Sequence, residues 1–148
     1  MQEFSKKRFP LEYRAIAFDF DGTLVDTLSL HYEAYRITFE SIGLDLREED
    51  FYSNIGGKAT EAIPLFLGGR KTTATITEIH ARKKLEIARL FESAPLRIFP
   101  AARLLGMFAG AVPMALVSSG SRPGILQLLN RLGWGGYFDV VVTGEDTP

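Results

Sequence analysis

The chain of 148 residues contains no cysteine. This absence excludes disulfide frameworks, thiol catalysis and thiolate metal sites, and it is compatible with a reducing cytosol. The chain also lacks a large net charge, at −1, and has no charge run of the kind that favours nucleic acid as a partner. No apolar run is long enough to cross a bilayer, and none has the form of a secretory signal. These absences predict a globular protein, which we expect in the cytoplasm and without nucleic-acid or membrane partners.

The most informative stretch runs from Ile16 to Thr27 and reads I-A-F-D-F-D-G-T-L-V-D-T. Strand-forming residues lead into Asp19 and Asp21, and the alternation of side chains along a strand points both the same way. Two carboxylates this close repel each other unless a cation or a proton lies between them. Gly22 then lets the chain turn sharply and brings its backbone close to a ligand. The spacing therefore predicts a divalent metal site at the carboxyl end of a strand.

A calcium-binding loop is a different metal site that closely spaced acids bring to mind. Such a loop has glycine at its sixth position and glutamate at its twelfth. Counted from Asp19, the glycine comes too early, at Gly22, and the twelfth position is Leu30. The spacing therefore does not fit a calcium loop.

Apolar segments indicate three buried strands, near residues 14–20, 113–118 and 138–143. From Pro95 onward the predicted strands alternate with helices. This order is typical of a doubly wound, Rossmann-like parallel sheet, whose ligands lie at the carboxyl ends of the strands. We therefore predict an α/β fold.

The interval between the first two strands is several times the length of an ordinary crossover helix. Apolar residues at helical spacing, glycines at helix ends and a capping pair, Thr75 with Glu78, indicate several helices there. We predict a helical cap over residues 28–94, inserted into an α/β core formed by 1–27 and 95–148. The alternative is that these helices extend the main core.

Polar residues on the longest of these helices are predicted to form a solvated face without an assigned function: His80, Arg82, Lys83 and Lys84.

A pair of serines follows the second predicted strand. Ser118 and Ser119 lie where the strand gives way to a helix N-terminus, and hydroxyl and free N–H groups at such a corner bind anions. Without the acidic pair, the preferred interpretation would be that Ser118 is only a loop residue and that Ser121 is only the cap of the following helix. With it, the two clusters predict a phosphate bound next to a metal. Asp19 is then placed to attack phosphorus, and Asp21 to protonate the leaving oxygen and later activate water.

These motifs resemble those of the haloacid dehalogenase superfamily. D-F-D-G-T followed by L-V-D-T is similar to its first motif, Ser118 after an apolar strand to its second, and Y-F-D-V-V-V-T-G-E-D to the stretch before its third. The most similar subgroup holds phosphoglycolate phosphatase-like and β-phosphoglucomutase-like enzymes. The resemblance implies Mg²⁺ as the cofactor and a small phosphorylated metabolite as the substrate.

The resemblance also implies a role for each motif residue. Asp19 is the nucleophile and a magnesium ligand, and Asp21 is the acid/base that lends its backbone carbonyl to the metal. Ser118 binds the transferring phosphoryl group, with Ser119 and Gly22 as further phosphate-binding candidates.

Candidate substrate-binding residues lie in the predicted cap. His31 resembles a histidine near the hinge of the sugar-phosphate branch, and a surface or partly buried helix histidine is the alternative. Gly57 and Lys58 resemble a loop that selects substrate, and a solvated lysine is the alternative for Lys58. No arginine is evident in the loop directly after Gly57, which favours hydrolysis over sugar phosphomutase activity.

The resemblance ends before the third and fourth family motifs, which supply a lysine and the last acidic metal ligands. The chain stops at Pro148, and Glu145 and Asp146 precede the expected lysine, so we do not assign them to the fourth motif. The strand that carries Asp19 is expected to be an exposed edge. We expect a Mg²⁺-dependent phosphohydrolase that is truncated and is a poor enzyme by itself. The alternatives are a partner-dependent fragment without independent activity and a sugar phosphomutase.

Overall fold

A computed structural model describes residues 14–55 and 59–146 of the chain. This part contains a three-stranded sheet in which both neighbouring pairs run parallel. The strands lie side by side in chain order: β1 (Ile16–Asp19), β2 (Met114–Val117) and β3 (Val140–Val142). The predicted α/β fold with a parallel sheet is confirmed, and β1 is an edge strand within the described residues.

Helices fill the chain between the strands. Their bounds in the described part are α1 (Leu28–Glu40), α2 (Glu48–Asn54), α3 (Ala59–Leu67), α4 (Ile76–Ser93), α5 (Arg103–Phe108) and α6 (Arg122–Leu132). Within the same residues, none of the helices combines the length and the apolar character that crossing a membrane requires.

Three candidate capping residues lie at the ends of α4 and α6, and two of them adopt a capping geometry. Thr75 and Glu78 form the predicted capping box, so α4 begins at Ile76 and not at the predicted Thr73. Gly133 ends α6 with φ +69°, a left-handed conformation that glycine adopts at low cost. Ser121 precedes α6 as predicted, but its side chain makes no capping hydrogen bond.

The third strand is shorter than the predicted segment 138–143. Gly135–Tyr137 forms a 3₁₀ turn in which the Tyr137 N–H donates to Trp134 O, at 3.0 Å. Contact with β2 begins only at Asp139, whose N–H donates to Met114 O at 2.8 Å. The two glycines in this turn favour it over an earlier start of the strand.

The two faces of the sheet have different environments. One face is buried under α5, α6 and parts of α1 and α4, and its strand residues are Ile16, Phe18, Met114, Leu116 and Val141. The other face carries Val117 and Val140, which are 43% and 53% exposed. Two right-handed crossovers that run in the same direction place their helices on the same face. The opposite face is therefore largely open to solvent within the described residues.

A second hydrophobic cluster lies among helices α1 to α4 and their loops, separate from the cluster beneath the sheet. Its buried aromatic members are Tyr35, Phe39, Phe51 and Phe66. Two connections join this helical region to the sheet, and they run side by side. The Asp26 N–H donates to Arg97 O, and the Phe99 N–H donates to Leu24 O, each at 2.9 Å. The boundaries of a cap at 28–94 stay a prediction.

Substitutions on the two faces of β2 test this arrangement. Leu116 is fully buried and Val117 is half exposed. We expect Leu116→Ala to lower the free energy of unfolding by about 2–5 kcal/mol, because it leaves a cavity in the core. Val117→Ala should cost less than about 1 kcal/mol. Urea denaturation of both variants measures this, and equal losses would show that the second face is covered.

Candidate active site

A tight turn after β1 places the two acidic residues. The carbonyl oxygen of Phe20 accepts hydrogen bonds from the N–H groups of Leu24 and Val25, at 3.0 and 3.2 Å. Gly22 has φ +78°, a left-handed conformation that a residue with a side chain rarely adopts. Its own N–H donates to Val25 O at 2.8 Å, so this donor is used inside the turn. A role for Gly22 in phosphate binding stays a prediction.

Asp21 connects three segments of the chain through its carboxylate. Its Oδ1 accepts a hydrogen bond from Thr27 Oγ1, and its Oδ2 accepts one from Ser118 Oγ, each at 2.5 Å. Thr27 immediately precedes α1, and Ser118 immediately follows β2. Both hydroxyl-bearing residues are buried, so the carboxylate is held in a fixed orientation. The structure thus brings together the acidic and serine clusters that the sequence places 97 residues apart.

Asp19 lies at the last position of β1 and is exposed. Its Oδ2 accepts a hydrogen bond from Thr23 Oγ1 at 2.6 Å. In the sheet Asp19 is paired with Val117, so the loop that begins at Ser118 starts beside it. This is the position that a nucleophile at the carboxyl end of a parallel strand requires.

Ser118 occupies a corner that also involves the backbone of the next residues. Its Oγ accepts a hydrogen bond from the Gly120 N–H at 2.9 Å, and its own N–H donates to Val142 O at 3.0 Å. Ser119 is exposed. The phosphate-binding roles of Ser118 and Ser119 stay predictions, and Ser118 directly follows β2.

The two acidic residues differ in how well they suit the predicted magnesium site. Mg²⁺ is usually held by one or two carboxylates, with water and substrate phosphate completing its shell. The exposed carboxylate of Asp19 fits that description, whereas both side-chain oxygens of Asp21 are occupied by hydroxyl donors. In residues 14–55 and 59–146 there is no group of three or more His, Cys, Asp or Glu side chains that could hold a metal ion. The exposed carboxylate of Asp19 thus fits a metal ligand, and metal binding by Asp19 and by the backbone carbonyl of Asp21 stays a prediction.

The prediction of a solvated face on α4 is wrong for Lys83. Its Nζ lies 2.8 Å from His31 Nδ1 and 5.0 Å from the centre of the Tyr35 ring. Burial lowers the pKa of Lys83 to about 8, Asp21 opposes this change, and Lys84 adds to it. Asp21 on the turn after β1 therefore favours the charged form of Lys83 on α4.

The position of Lys83 was detectable in the sequence. Buried residues recur on α4 every four positions, at Ile79, Ile87 and Phe91, and Lys83 falls on the same stripe. A lysine on a buried helical stripe needs a partner for its charge. The charged neighbours Arg82 and Lys84 give this part of α4 a polar appearance that conceals the spacing.

His31 accepts the hydrogen bond from Lys83. Its pKa is lowered to about 3, first by burial and then by the charge of Lys83. The ring is therefore neutral near pH 7, and Nδ1 offers a lone pair to the ammonium group. The edge of the ring also packs against Phe91, with centroids 5.7 Å apart. His31 thus belongs to the junction between α1 and α4, and Gly57 and Lys58 lie outside the described residues.

Comparison with known proteins gives the family context. A family model described as haloacid dehalogenase-like hydrolase matches residues 16–148. A phosphorylated carbohydrates phosphatase from Thermotoga maritima is 32% identical over 133 residues, which cover 88% of this chain and 61% of that protein. The 6-phosphogluconate phosphatase of Escherichia coli is 33% identical and is matched over 89% of this chain and 60% of that protein.

Solved structures agree with the sequence matches. The crystal structure of CbbY from Rhodobacter sphaeroides in complex with phosphate has a TM-score of 0.77 and 27% identity, with 90% of this chain and 64% of that chain covered. The chain spans about three fifths of the length of the two phosphatases and of the CbbY chain.

The His31 site makes a prediction about acid stability. Its pKa is 6.5 when unfolded and about 3 when folded, so the unfolded state binds the proton first as pH falls. Between pH 6.5 and 4.5 the free energy of unfolding should drop by about 2–3 kcal/mol from this group alone. The His31→Gln variant should lack this contribution in urea denaturation across that pH range. His80→Gln is the control, and an equal effect there would contradict the assignment.

Proposed function

Because this chain belongs to the haloacid dehalogenase-like hydrolases, we propose that it carries the nucleophile and the acid/base of a Mg²⁺-dependent phosphatase. The proposed substrate is a small phosphorylated metabolite. One observation carries the proposal: the hydrogen bond from Ser118 Oγ to Asp21 Oδ2, which joins the acidic motif to the anion corner. The names of the two similar phosphatases, one for phosphorylated carbohydrates and one for 6-phosphogluconate, support the substrate class.

The first chemical step is transfer of the phosphoryl group to Asp19. A carboxylate oxygen of Asp19 attacks phosphorus, and the bond between phosphorus and the ester oxygen breaks. The leaving oxygen takes a proton from the carboxyl group of Asp21, two residues further along the chain. Thr27 and Ser118 hold Asp21 on the side of the anion corner, which limits its orientations during this transfer.

The second step releases phosphate. Asp21, now ionised, accepts a proton from a water molecule whose oxygen attacks the aspartyl-phosphate. The bond between phosphorus and the Asp19 oxygen breaks, and inorganic phosphate leaves. Asp19 and a protonated Asp21 are then ready for the next substrate, so the proton given up in the first step is recovered.

Asp19 and the backbone carbonyl of Asp21 are the groups that would hold Mg²⁺. When bound, the ion offsets negative charge on the phosphoryl oxygens and on the nucleophile. Phosphatases of this family generally use Mg²⁺. The described residues supply few further ligands, and we therefore propose weak metal binding by this chain.

Lys83 provides a positive charge that the sequence analysis did not find. The charge of Asp21 favours its protonated form, and the groups around it include His31 and Tyr35 on α1 and Lys84 on its own helix. An ammonium group at the boundary between the sheet and the helical region favours an anionic substrate there. We propose that Lys83 attracts the phosphate group of the substrate to the site.

The nucleophile assignment is tested with a generic phosphate ester. We expect slow Mg²⁺-dependent release of inorganic phosphate by the unaltered chain, because the described residues hold an incomplete metal site. Asp19→Asn should lower this rate by about a hundredfold or more, since a neutral amide is a poor nucleophile. Asp45→Asn, at an exposed carboxylate on the loop after α1, serves as the control. Equal rates for the unaltered chain and Asp19→Asn would reject the proposal in favour of a fragment without independent activity.

The role of Lys83 predicts a pH dependence of anion binding. With a pKa of about 8, Lys83 loses its proton as pH rises from 7 to 9. Affinity for inorganic phosphate, measured by calorimetry, should therefore fall over this range, by about tenfold for the loss of one nearby charge. The Lys83→Met variant should bind phosphate weakly at both pH values, and Lys71→Met, at an exposed lysine on the loop between α3 and α4, should behave like the unaltered chain. A pH profile that is the same in Lys83→Met and the unaltered chain would exclude this role.

A further inference from the structure

The turn after β3 is organised by the carboxylate of Asp146. Its Oδ2 accepts hydrogen bonds from the N–H and from the Oγ1 of Thr143, both at 2.8 Å. The Asp146 N–H in turn donates to Thr143 O at 3.0 Å. Thr143 is buried, so this turn has a fixed attachment to the end of β3.

Arg122 fastens the same carboxylate to α6. Its Nη2 donates to Asp146 Oδ1 and Oδ2, at 2.9 and 2.8 Å, and also approaches Val141 O at 3.2 Å. Arg122 is the first residue of α6. A positive side chain at this end of a helix is disfavoured by the helix dipole, and an adjacent carboxylate offsets that effect. Hydrogen bonds from Arg122 and from Thr143 lower the pKa of Asp146 to about 2, so the pair stays charged at neutral pH.

The turn held in this way lies directly against the loop after β2. The Gly144 N–H donates to Gly120 O at 3.1 Å. A Cβ atom on Gly144 would lie 2.4 Å from Ser119 O, which is closer than any real contact. Only glycine therefore permits this approach without a shift of one of the two loops. The backbone of Ser119 and Gly120 therefore contacts the turn that Arg122 and Asp146 stabilise.

We propose that Arg122 and Asp146 are a positioning pair for the phosphate-binding corner. The pair holds residues 143–146 against Ser119 and Gly120, and thereby fixes Ser118 in reach of Asp21. This inference rests on the proposed function, in which the corner binds phosphate. Neither residue is assigned a contact with the substrate.

The ion pair of Arg122 and Asp146 is partly exposed, so we expect it to affect the geometry of the phosphate-binding corner more than the stability of the fold. The side chains of Arg122 and Asp146 are 41% and 35% exposed, and ion pairs in such surroundings contribute little to stability. Binding of a phosphate depends more steeply on position, because the N–H and hydroxyl groups around it must converge on one point. Loss of the pair should therefore weaken phosphate binding with little change in the free energy of unfolding.

Calorimetry with inorganic phosphate tests the proposal on the full 148-residue chain. We expect Asp146→Asn and Arg122→Gln each to weaken binding by about tenfold, and the double variant to weaken it no further, because both act through one interaction. Asp50→Asn is the matched control. It removes a pair between Arg47 and Asp50 that also contains two hydrogen bonds to one carboxylate but lies at α2, in the helical region.

A direct contact between Arg122 and phosphate gives a different pattern. In that case Arg122→Gln weakens binding, but Asp146→Asn strengthens it by freeing the guanidinium group, and the positioning role is overturned. Unchanged affinity in both single variants overturns it as well, while leaving the proposed function intact. No phosphate binding by the unaltered chain rejects the proposed function and this inference together.

Amide hydrogen exchange supplies a readout that does not require phosphate. In Asp146→Asn the N–H groups of Gly120 and Gly144 should exchange about tenfold faster or more, because the contact between their loops opens more often. Amides in the middle of α6, such as that of Leu128, should keep their exchange rates. Unchanged exchange at both glycines would overturn the inference.

Discussion

The hydrogen bond from Ser118 Oγ to Asp21 is the interaction on which the proposed site depends. It joins the ends of β1 and β2, and the second oxygen of the same carboxylate joins both to the start of α1 through Thr27. A carboxylate shared by two buried hydroxyl groups has few alternative orientations. The parallel sheet makes this possible, since it brings the carboxyl ends of β1 and β2 to the same edge.

Charges of opposite sign influence each other across the boundary between the sheet and the helical region. Lys83 lies on α4, where its ammonium group is hydrogen-bonded to the neutral His31, and Asp21 lies on the turn after β1. Burial of an ammonium group opposes folding, and the partial compensation by Asp21 is available only while the two regions stay together. The same charge distribution that makes the region electrostatically costly also makes it attractive to an anion.

Local patterns predicted much of the fold, because their causes lie within a few residues. The capping box of Thr75 and Glu78 and the left-handed Gly133 are examples, and the parallel order of three strands followed from apolar runs. The motif around Asp21 identified the acidic site for the same reason. Lys83 was misjudged because neighbouring charges hid its place on a buried stripe. The contact of Gly144 with Ser119 depends on two loops meeting in space, and no pattern within either loop predicts it.

The paired connections between the sheet and the helical region have a mechanical consequence. Backbone hydrogen bonds from Asp26 to Arg97 and from Phe99 to Leu24 make the two connections into a short ribbon. A single connecting strand permits swivelling about its own axis, whereas two strands in register resist torsion and bend together. The ribbon therefore opposes twisting of the helical region about either connection, and hydrogen bonds from Arg131 on α6 to Phe91 O and Ala94 O add a further attachment at the end of α4.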